Sequence, residues 1–154
     1  MNLNLALVVD ATPTTCTIRW LGENENTHAH YSPQVQNRIK IFPHQLVAVD
    51  AASTPPQVVW RWFRGRVDYQ VADHVVVNNH IYQAGFRAPI SVARVPDELE
   101  TPLKPGDEVF YSLGAEAVVI DCADEGFPVH PERLRADMLP AIVEIYSEYT
   151  SKEA

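Results

Sequence analysis

Two histidines with one residue between them, His28 and His30, have the spacing in this sequence that most favours metal chemistry. On a β-strand, side chains two positions apart lie on the same face, so both imidazoles can contact one metal ion. Imidazole nitrogen is a common ligand of zinc, iron and nickel. The pair therefore predicts a metal site if residues 27–31 form a strand, and the alternative is two surface histidines without a ligand.

The nine residues from Gly22 to His30 resemble the first half of the cupin metal motif. The resemblance implies a metal-dependent small-molecule enzyme with His28 and His30 as metal ligands. Gln34 stands where the motif has glutamate, and no second motif of proline, glycine and a ligating histidine follows. A cupin-like enzyme is therefore the alternative function, and the preferred function requires no cofactor.

Other catalytic patterns are absent from the sequence. It has no Gly-x-Ser-x-Gly motif for a nucleophilic serine, and its six glycines are scattered singly, so no phosphate-binding loop is predicted. Cys16 and Cys122 lie far apart and form no Cys-x-x-Cys motif. Reduced structural thiols are typical of the cytoplasm, which is the predicted localisation.

The segment 58–71, VVWRWFRGRVDYQV, carries the densest group of aromatic and cationic side chains. Tryptophan and arginine are common at the energetic centres of protein interfaces. The sequence therefore predicts a surface that binds a protein partner, formed by Trp60, Arg61, Trp62, Arg64 and Arg66. In the alternative interpretation, the tryptophans fill the core and the arginines cover it or pair with carboxylates on neighbouring strands.

The same segment changes the parity of its apolar positions. Val58, Trp60 and Trp62 occupy even positions, whereas the apolar residues after Gly65 occupy odd positions. A regular strand with this pattern would turn its core face to solvent. We therefore expect a bulge or tight turn at residues 63–65, where Gly65 supplies the backbone freedom.

The composition is that of a globular protein, and the charge is distributed unevenly. The 154 residues are 46% hydrophobic and 21% charged. Residues 1–96 have eight Lys/Arg against six Asp/Glu, giving +2, and residues 97–154 have four against fourteen, giving −10, for a net charge of −8. Because the acidic stretch would repel phosphate, nucleic acid is not expected as a partner. Membrane association is not expected either, since no apolar run approaches spanning length.

Short runs of β-branched residues between twelve prolines predict a mostly β fold, either small SH3-like barrels or a compact β-sandwich. The KPGD turn at residues 104–107 is similar to turns that precede strands of SH3-like barrels. Residues 51–56 end in Pro-Pro and are the predicted linker. We expect a first β subdomain at residues 1–50, a second at 57–127, and a helix or kinked helix pair at 131–150.

The C-terminal helical segment is predicted from a change in the apolar period. Pro131 suits a first helical turn, and Pro140 would remove a hydrogen bond and kink the helix. We expect the apolar stripe to pack against the β part. The stripe consists of Leu134, Met138, Ile142, Ile145 and Tyr149.

Three local predictions complete the β part. We expect a loop at residues 32–37, a strand at residues 39–42, and a hairpin over residues 74–82 that turns at Asn78 and Asn79. The sequence thus favours a non-catalytic β-barrel protein that binds a partner protein or acts as an adaptor. It does not determine the oligomeric state.

Overall fold

The computed structural model describes residues 3–21, 23–38, 40–80, 82, 90–97, 102–113 and 117–123. These residues contain nine strands and one short helix, which confirms the predicted mostly β fold. The helix predicted at residues 131–150 lies outside the described residues. The elements are β1 (Leu3–Ala11), β2 (Thr15–Trp20), β3 (Asn26–Tyr31), α1 (Pro33–Arg38), β4 (Leu46–Asp50), β5 (Gln57–Val71), β6 (His74–Asn78), β7 (Ile90–Arg94), β8 (Glu108–Leu113) and β9 (Ala117–Ala123).

The described residues up to Arg61 form a first unit, in which the strands pair in a ring. β1 pairs antiparallel with β2 and β4, and β2 pairs antiparallel with β3. β5 lies beside β4, and its first residues also pair in parallel with β3 through Val58 and Tyr31. Aliphatic side chains form the interior, as buried strands require. They include Leu7, Val8, Ile18, Leu46, Val47 and Val49.

A helix, α1, replaces the loop that the sequence predicted at residues 32–37. Ser32 caps it, because the Ser32 Oγ accepts a hydrogen bond from the Val35 N–H at 3.3 Å and the Ser32 carbonyl accepts one from the Gln36 N–H at 2.9 Å. Pro33 occupies the first helical position, where a missing N–H costs nothing. Among the described residues, no helix is both long and apolar enough to span a membrane.

The strand predicted at residues 39–42 is also wrong. Residues 40–42 have no regular secondary structure. The Phe42 N–H donates to the Oε1 of Gln45 at 3.0 Å, so a side chain takes the place of a neighbouring strand as its acceptor.

The described residues from Trp62 onwards form a second unit, whose strands also pair in a ring. β5, β6 and β7 form an antiparallel meander, and β8 pairs antiparallel with both β9 and β5. A parallel contact between Arg94 of β7 and Val118 of β9 completes the ring. The core of this unit consists of Phe63, Val67, Val75, Val77, Ala93, Leu103, Val109, Tyr111, Val119 and Cys122.

β5 is one continuous strand that contributes to both units, and its irregularity lies near its far end. The pairing with β6 shifts register between Val67 and Tyr69, which leaves Asp68 as the extra residue of a bulge. The bulge or turn was predicted at residues 63–65, and the structure shows the bulge at Asp68 instead. Val67 lies in the core whereas Tyr69 is exposed, so the bulge reverses which apolar side chains face solvent.

Gly65 is required by the close approach of neighbouring strands rather than by a turn. A Cβ atom at this position would lie 2.3 Å from Cγ1 of Val77 on β6 and 3.2 Å from Cε1 of Tyr111 on β8. Val77 and Tyr111 are fully buried and have little room to move. Glycine therefore allows β5 to pair regularly at this point.

The hairpin between β5 and β6 turns at Ala72 and Asp73, since Val71 pairs with His74. Ala72 has a φ of 54°, a left-handed conformation that is costly for a residue with a Cβ atom. Positive φ at the first loop residue is typical of type II′ turns, which favour glycine there. β6 pairs with β5 and β7, so the hairpin predicted over residues 74–82 is wrong.

The turn predicted at residues 104–107 is confirmed, and it also holds β5 at the bulge. Gly106 has a φ of 92°, and the Lys104 carbonyl accepts a hydrogen bond from the Asp107 N–H at 3.0 Å. The Gly106 N–H donates to the Val67 carbonyl at 2.8 Å, and the Val67 N–H donates to the Asp107 carbonyl at 2.7 Å. The chain thus enters β8 already bonded to β5.

Candidate functional site

β5 and β8 carry a set of charged side chains on the side opposite the core of the second unit. Arg64 pairs with Phe110 and Arg66 pairs with Glu108, whereas the neighbouring Phe63 lies in the core. Successive residues of a strand point to opposite faces, and cross-strand partners share a face. The register therefore brings both arginines and the carboxylate to one face of these two strands.

Glu108 is the common acceptor of a charged cluster that consists of Arg64, Arg66, Tyr82 and Glu108. The Nε of Arg64 donates to Oε2 of Glu108 at 2.9 Å, and the Nη2 of Arg64 pairs with the same oxygen. The Oε1 of Glu108 accepts from Nη2 of Arg66 at 3.4 Å and from the Tyr82 hydroxyl. Arg64 and Glu108 are 1% and 5% exposed. Such burial requires compensation for both charges, and the cluster supplies it.

Aromatic rings provide further compensation for the buried cation. The guanidinium carbon of Arg64 lies 4.9 Å from the ring centre of Tyr82 and 5.7 Å from that of Phe110. The negative faces of aromatic rings attract cations within about 6 Å. Tyr82 therefore stabilises the ion pair in two ways, through its ring at Arg64 and through its hydroxyl at Glu108.

In this cluster, the pKa of Glu108 and the pKa of Tyr82 are both shifted further from neutral pH. Burial raises the pKa of Glu108, but the hydrogen bonds from Tyr82 and Arg64 and the charge of Arg64 outweigh burial and hold the pKa below its ordinary value of 4.5. Burial, and then the hydrogen bond to Glu108, raise the pKa of Tyr82 above 10. An efficient general acid or base titrates near its working pH. The cluster therefore has the properties of a structural ion pair.

The five residues predicted to bind a partner differ widely in exposure. Trp60 and Trp62 are 4% and 2% exposed, and Arg64 is buried in the charged cluster. Arg61 is half-buried and donates through Nε to the carbonyl of Lys40 at 2.9 Å. The side chain of Arg66 is 45% exposed. The five residues are Trp60, Arg61, Trp62, Arg64 and Arg66.

This arrangement corrects the expectation of an exposed Trp/Arg surface. The tryptophans lie inside, and Arg64 pairs with a carboxylate on the neighbouring strand β8, as the alternative interpretation stated. Arg66 and part of Arg61 are the portions of the set that reach solvent. Partner binding by this segment remains a prediction, because the contacts within one chain do not test it.

The structure shows a second surface, made of exposed hydrophobic side chains, that was not predicted from the sequence. The large hydrophobic side chains that are exposed in the described residues all belong to the last part of β5 and to β7. Tyr69 and Val92 both pair with Val76 of β6, so they lie in one cross-strand row. We call this surface the apolar face. It consists of Tyr69 (53% exposed), Val71 (62%), Ile90 (56%) and Val92 (58%).

Two arginines border the apolar face at opposite ends. Arg66 lies in the same cross-strand row as Ile90, and Arg94 lies in the same row as Val71. Cross-strand rows share a face, so these cations flank the aliphatic and aromatic centre. The charged cluster and the apolar face therefore have Arg66 in common.

Acidic groups also lie near this surface, and one is bonded to a neighbour. The Oδ1 of Asp73 lies 2.8 Å from Nδ1 of His74. Asp68 is the exposed extra residue of the bulge. The surface is thus apolar at its centre and carries both signs of charge at its border.

His28 and His30 lie on β3, and the predicted strand over residues 27–31 is confirmed. Both side chains are exposed, and the centres of their rings are 5.4 Å apart. The described part of the chain contains no group of three or more histidine, cysteine, aspartate or glutamate residues that could hold a metal ion. Catalytic zinc sites use three protein ligands, so the cupin-like enzyme remains a prediction that the geometry does not advance.

Cys16 is not suited to nucleophilic catalysis. Burial raises the pKa of its thiol to about 12, and a hydrogen bond with Tyr31 opposes this only in part. The thiolate is the nucleophilic form of cysteine. The Tyr31 hydroxyl itself donates to the carbonyls of Thr12 and Thr15, both at 2.8 Å. Cys16 and Tyr31 therefore serve packing in the first unit.

Comparison with known proteins adds no family. No protein-family model matches this chain. No curated protein is similar to it at a significant level.

Proposed function

We propose that this chain is a non-catalytic β-barrel protein that binds a protein partner through the apolar face of its second unit. One observation carries the proposal, namely that Tyr69, Val71, Ile90 and Val92 are exposed side by side. Soluble proteins expose few contiguous apolar patches, and those rimmed by polar groups commonly mark interaction sites. Tyrosine at the centre of such a patch is typical of interface residues that contribute most of the affinity.

The partner is proposed to present apolar side chains flanked by carboxylates. The apolar centre would remove the partner's hydrophobic groups from water, which supplies the main favourable term. Arg66, whose side chain is 45% exposed, lies at one end of the face, where it would meet a carboxylate at the rim. Rim charges of this kind set orientation and association rate more than affinity. Arg66 thus keeps the partner-binding role predicted from the sequence.

The charged cluster and Cys16 support a role without catalysis. The pKa of Glu108 is lowered and the pKa of Tyr82 is raised, so neither group titrates near neutral pH. The Cys16 thiol is buried and stays protonated, since its pKa is raised to about 12. None of these three groups has the pKa that acid–base or nucleophilic catalysis near neutral pH requires, which supports binding as the proposed activity.

Peptide binding to the full-length chain tests the proposal directly. One panel carries leucine and phenylalanine flanked by glutamates, and a matched panel has lysines in place of the glutamates. We expect the glutamate panel to bind, and Tyr69→Ser and Val92→Ser to weaken that binding by about tenfold or more. Fluorescence anisotropy measures the affinity of each variant.

Gln70→Ser is the matched control, because Gln70 is the exposed neighbour of Tyr69 on β5 and is not part of the apolar face. It should leave the affinity unchanged. Equal binding by wild type, Tyr69→Ser and Val92→Ser would contradict the proposal. Preference for the lysine panel, or for single-stranded oligonucleotides, would assign the face to a different ligand.

A further inference from the structure

We infer that His28 and His30 form a two-ligand surface site for one late first-row transition-metal ion, Cu²⁺ above all. The site lies on β3 in the first unit and is independent of the proposed partner binding. Both imidazoles are exposed on one side of the strand, whereas Ala29 between them is fully buried on the other side. The alternation of β3 therefore directs both ligands to solvent, where an ion can reach them.

The separation of the two rings fits chelation of a single ion. The ring centres are 5.4 Å apart, with the ring planes perpendicular. With metal–nitrogen bonds of about 2.0–2.1 Å, two imidazoles that share one ion have ring centres about 4.5–5.2 Å apart. A small rotation of one side chain closes the difference, and exposed histidines can make it without disturbing the core.

The backbone beneath the pair is fixed on both sides. His28 pairs with Thr17 and His30 pairs with Thr15 on β2. On the other side, His30 pairs with Gln57 of β5, and the His30 N–H donates to the carbonyl of Pro56 at 2.9 Å. Ligands carried by a paired strand keep their spacing before the ion binds, which lowers the entropy lost on binding.

The ligand set selects the class of ion. Two neutral imidazoles bind divalent ions in the order that places Cu²⁺ above Ni²⁺ and Zn²⁺. Within the described residues no third histidine, cysteine or carboxylate joins the pair, so water would fill the remaining coordination positions. The site is therefore open and exchangeable, unlike the closed sites that stabilise folds and unlike a three-ligand catalytic centre.

Calorimetric titration of the full-length chain with CuCl₂ tests this inference, together with electron paramagnetic resonance of the bound ion. We expect a saturable site for one ion per chain with nitrogen couplings from two imidazoles. His28→Gln and His30→Gln should each weaken binding by about a hundredfold, since loss of one ligand removes the chelate advantage.

His80→Gln is the matched control, because His80 is an exposed histidine outside the pair. It should leave the affinity unchanged, and circular dichroism should show that all three variants fold. The inference is overturned if Cu²⁺ binding does not saturate, or if His28→Gln and His30→Gln bind Cu²⁺ as tightly as the wild type. Peptide binding at the apolar face is unaffected by either result, so the two proposals fail separately.

Discussion

The charged cluster and the apolar face both use β5, and they reverse the usual distribution of polar and apolar side chains. Arg64 and Glu108 are almost completely buried, whereas Tyr69 and Val71 are more than half exposed. Burying a charge and exposing an apolar group both cost free energy. In each region another interaction must offset this free-energy cost, and the two regions differ in where that interaction comes from.

In the charged cluster, the compensation comes from the chain itself. The Glu108 carboxylate accepts hydrogen bonds from Arg64, Arg66 and Tyr82. The Arg64 guanidinium also lies against the rings of Tyr82 and Phe110. At the apolar face, by contrast, each of the four side chains is more than half exposed to solvent. The buried charges are therefore compensated within the chain, whereas the exposed apolar groups are the ones through which we propose that a partner binds.

The largest expected effect separates the two regions by stability. Glu108→Ala should lower the free energy of unfolding by about 3–5 kcal/mol, because it leaves Arg64 as an uncompensated buried charge. Tyr69→Ser should change it by no more than about 0.5 kcal/mol, because Tyr69 is an exposed residue. Urea unfolding of both variants provides the measurement.

The double variant Arg64→Met, Glu108→Leu is the control for that comparison. Replacing both members of a buried ion pair with apolar residues of similar volume is often neutral. The double variant should therefore be more stable than Glu108→Ala. If Glu108→Ala and Tyr69→Ser were equally stable, the charged cluster would not be the stabilising feature described above.

A smaller effect is expected from pH. The pKa of Glu108 is lower in the folded chain than its ordinary value of 4.5. Its contribution to stability is therefore present above pH 4.5 and is lost as the pH falls through the folded-state pKa. The pKa of Tyr82 is raised above 10, so its contribution is present below pH 10 and is lost as the pH rises further.

Unfolding of the wild type and Glu108→Gln across the acid range measures this effect. The difference in stability between them should shrink on acidification, because protonation removes the same charge that the variant lacks. Tyr82→Phe should likewise remove part of the alkaline loss. A difference between wild type and Glu108→Gln that is constant from neutral to acid pH would refute the linkage.

The smallest effect concerns the hairpin at the end of the apolar face. Ala72→Gly should raise the free energy of unfolding by about 0.5–1 kcal/mol, because relief of the left-handed strain exceeds the entropy cost of glycine. Gly106→Ala is the opposite control. Gly106 has a φ of 92°, so a side chain at this position should lower the free energy of unfolding. Thermal unfolding measures both, and loss of stability in Ala72→Gly would show that Ala72 is not strained.

The strands were predictable because their signals are local. Short apolar runs with β-branched residues mark them, and proline, glycine and asparagine punctuate them, so most strand positions follow from neighbouring residues alone. The helix α1 was also open to prediction, since Ser32 followed by Pro33 is a helix start. It was missed because its six residues show too little apolar periodicity.

The candidate site was harder to predict, because its determinants are long-range. Residues 67–71 alternate perfectly between apolar and polar side chains, so the sequence contains no sign of the bulge at Asp68. Without that bulge, Tyr69 and Val71 read as core. The pairing of Arg64 with Glu108 spans 44 positions, and only the strand register brings the two together.

β5 also limits how this protein can be divided experimentally. The boundary between the units falls between Arg61 and Trp62, inside an unbroken strand that supplies ladder partners to each ring. A protease nick or a gene truncation at that boundary would open both rings and leave bare hydrogen-bonding edges prone to aggregation. A fragment intended to fold alone must therefore keep all of Gln57–Val71, even though the boundary divides that strand between the two units.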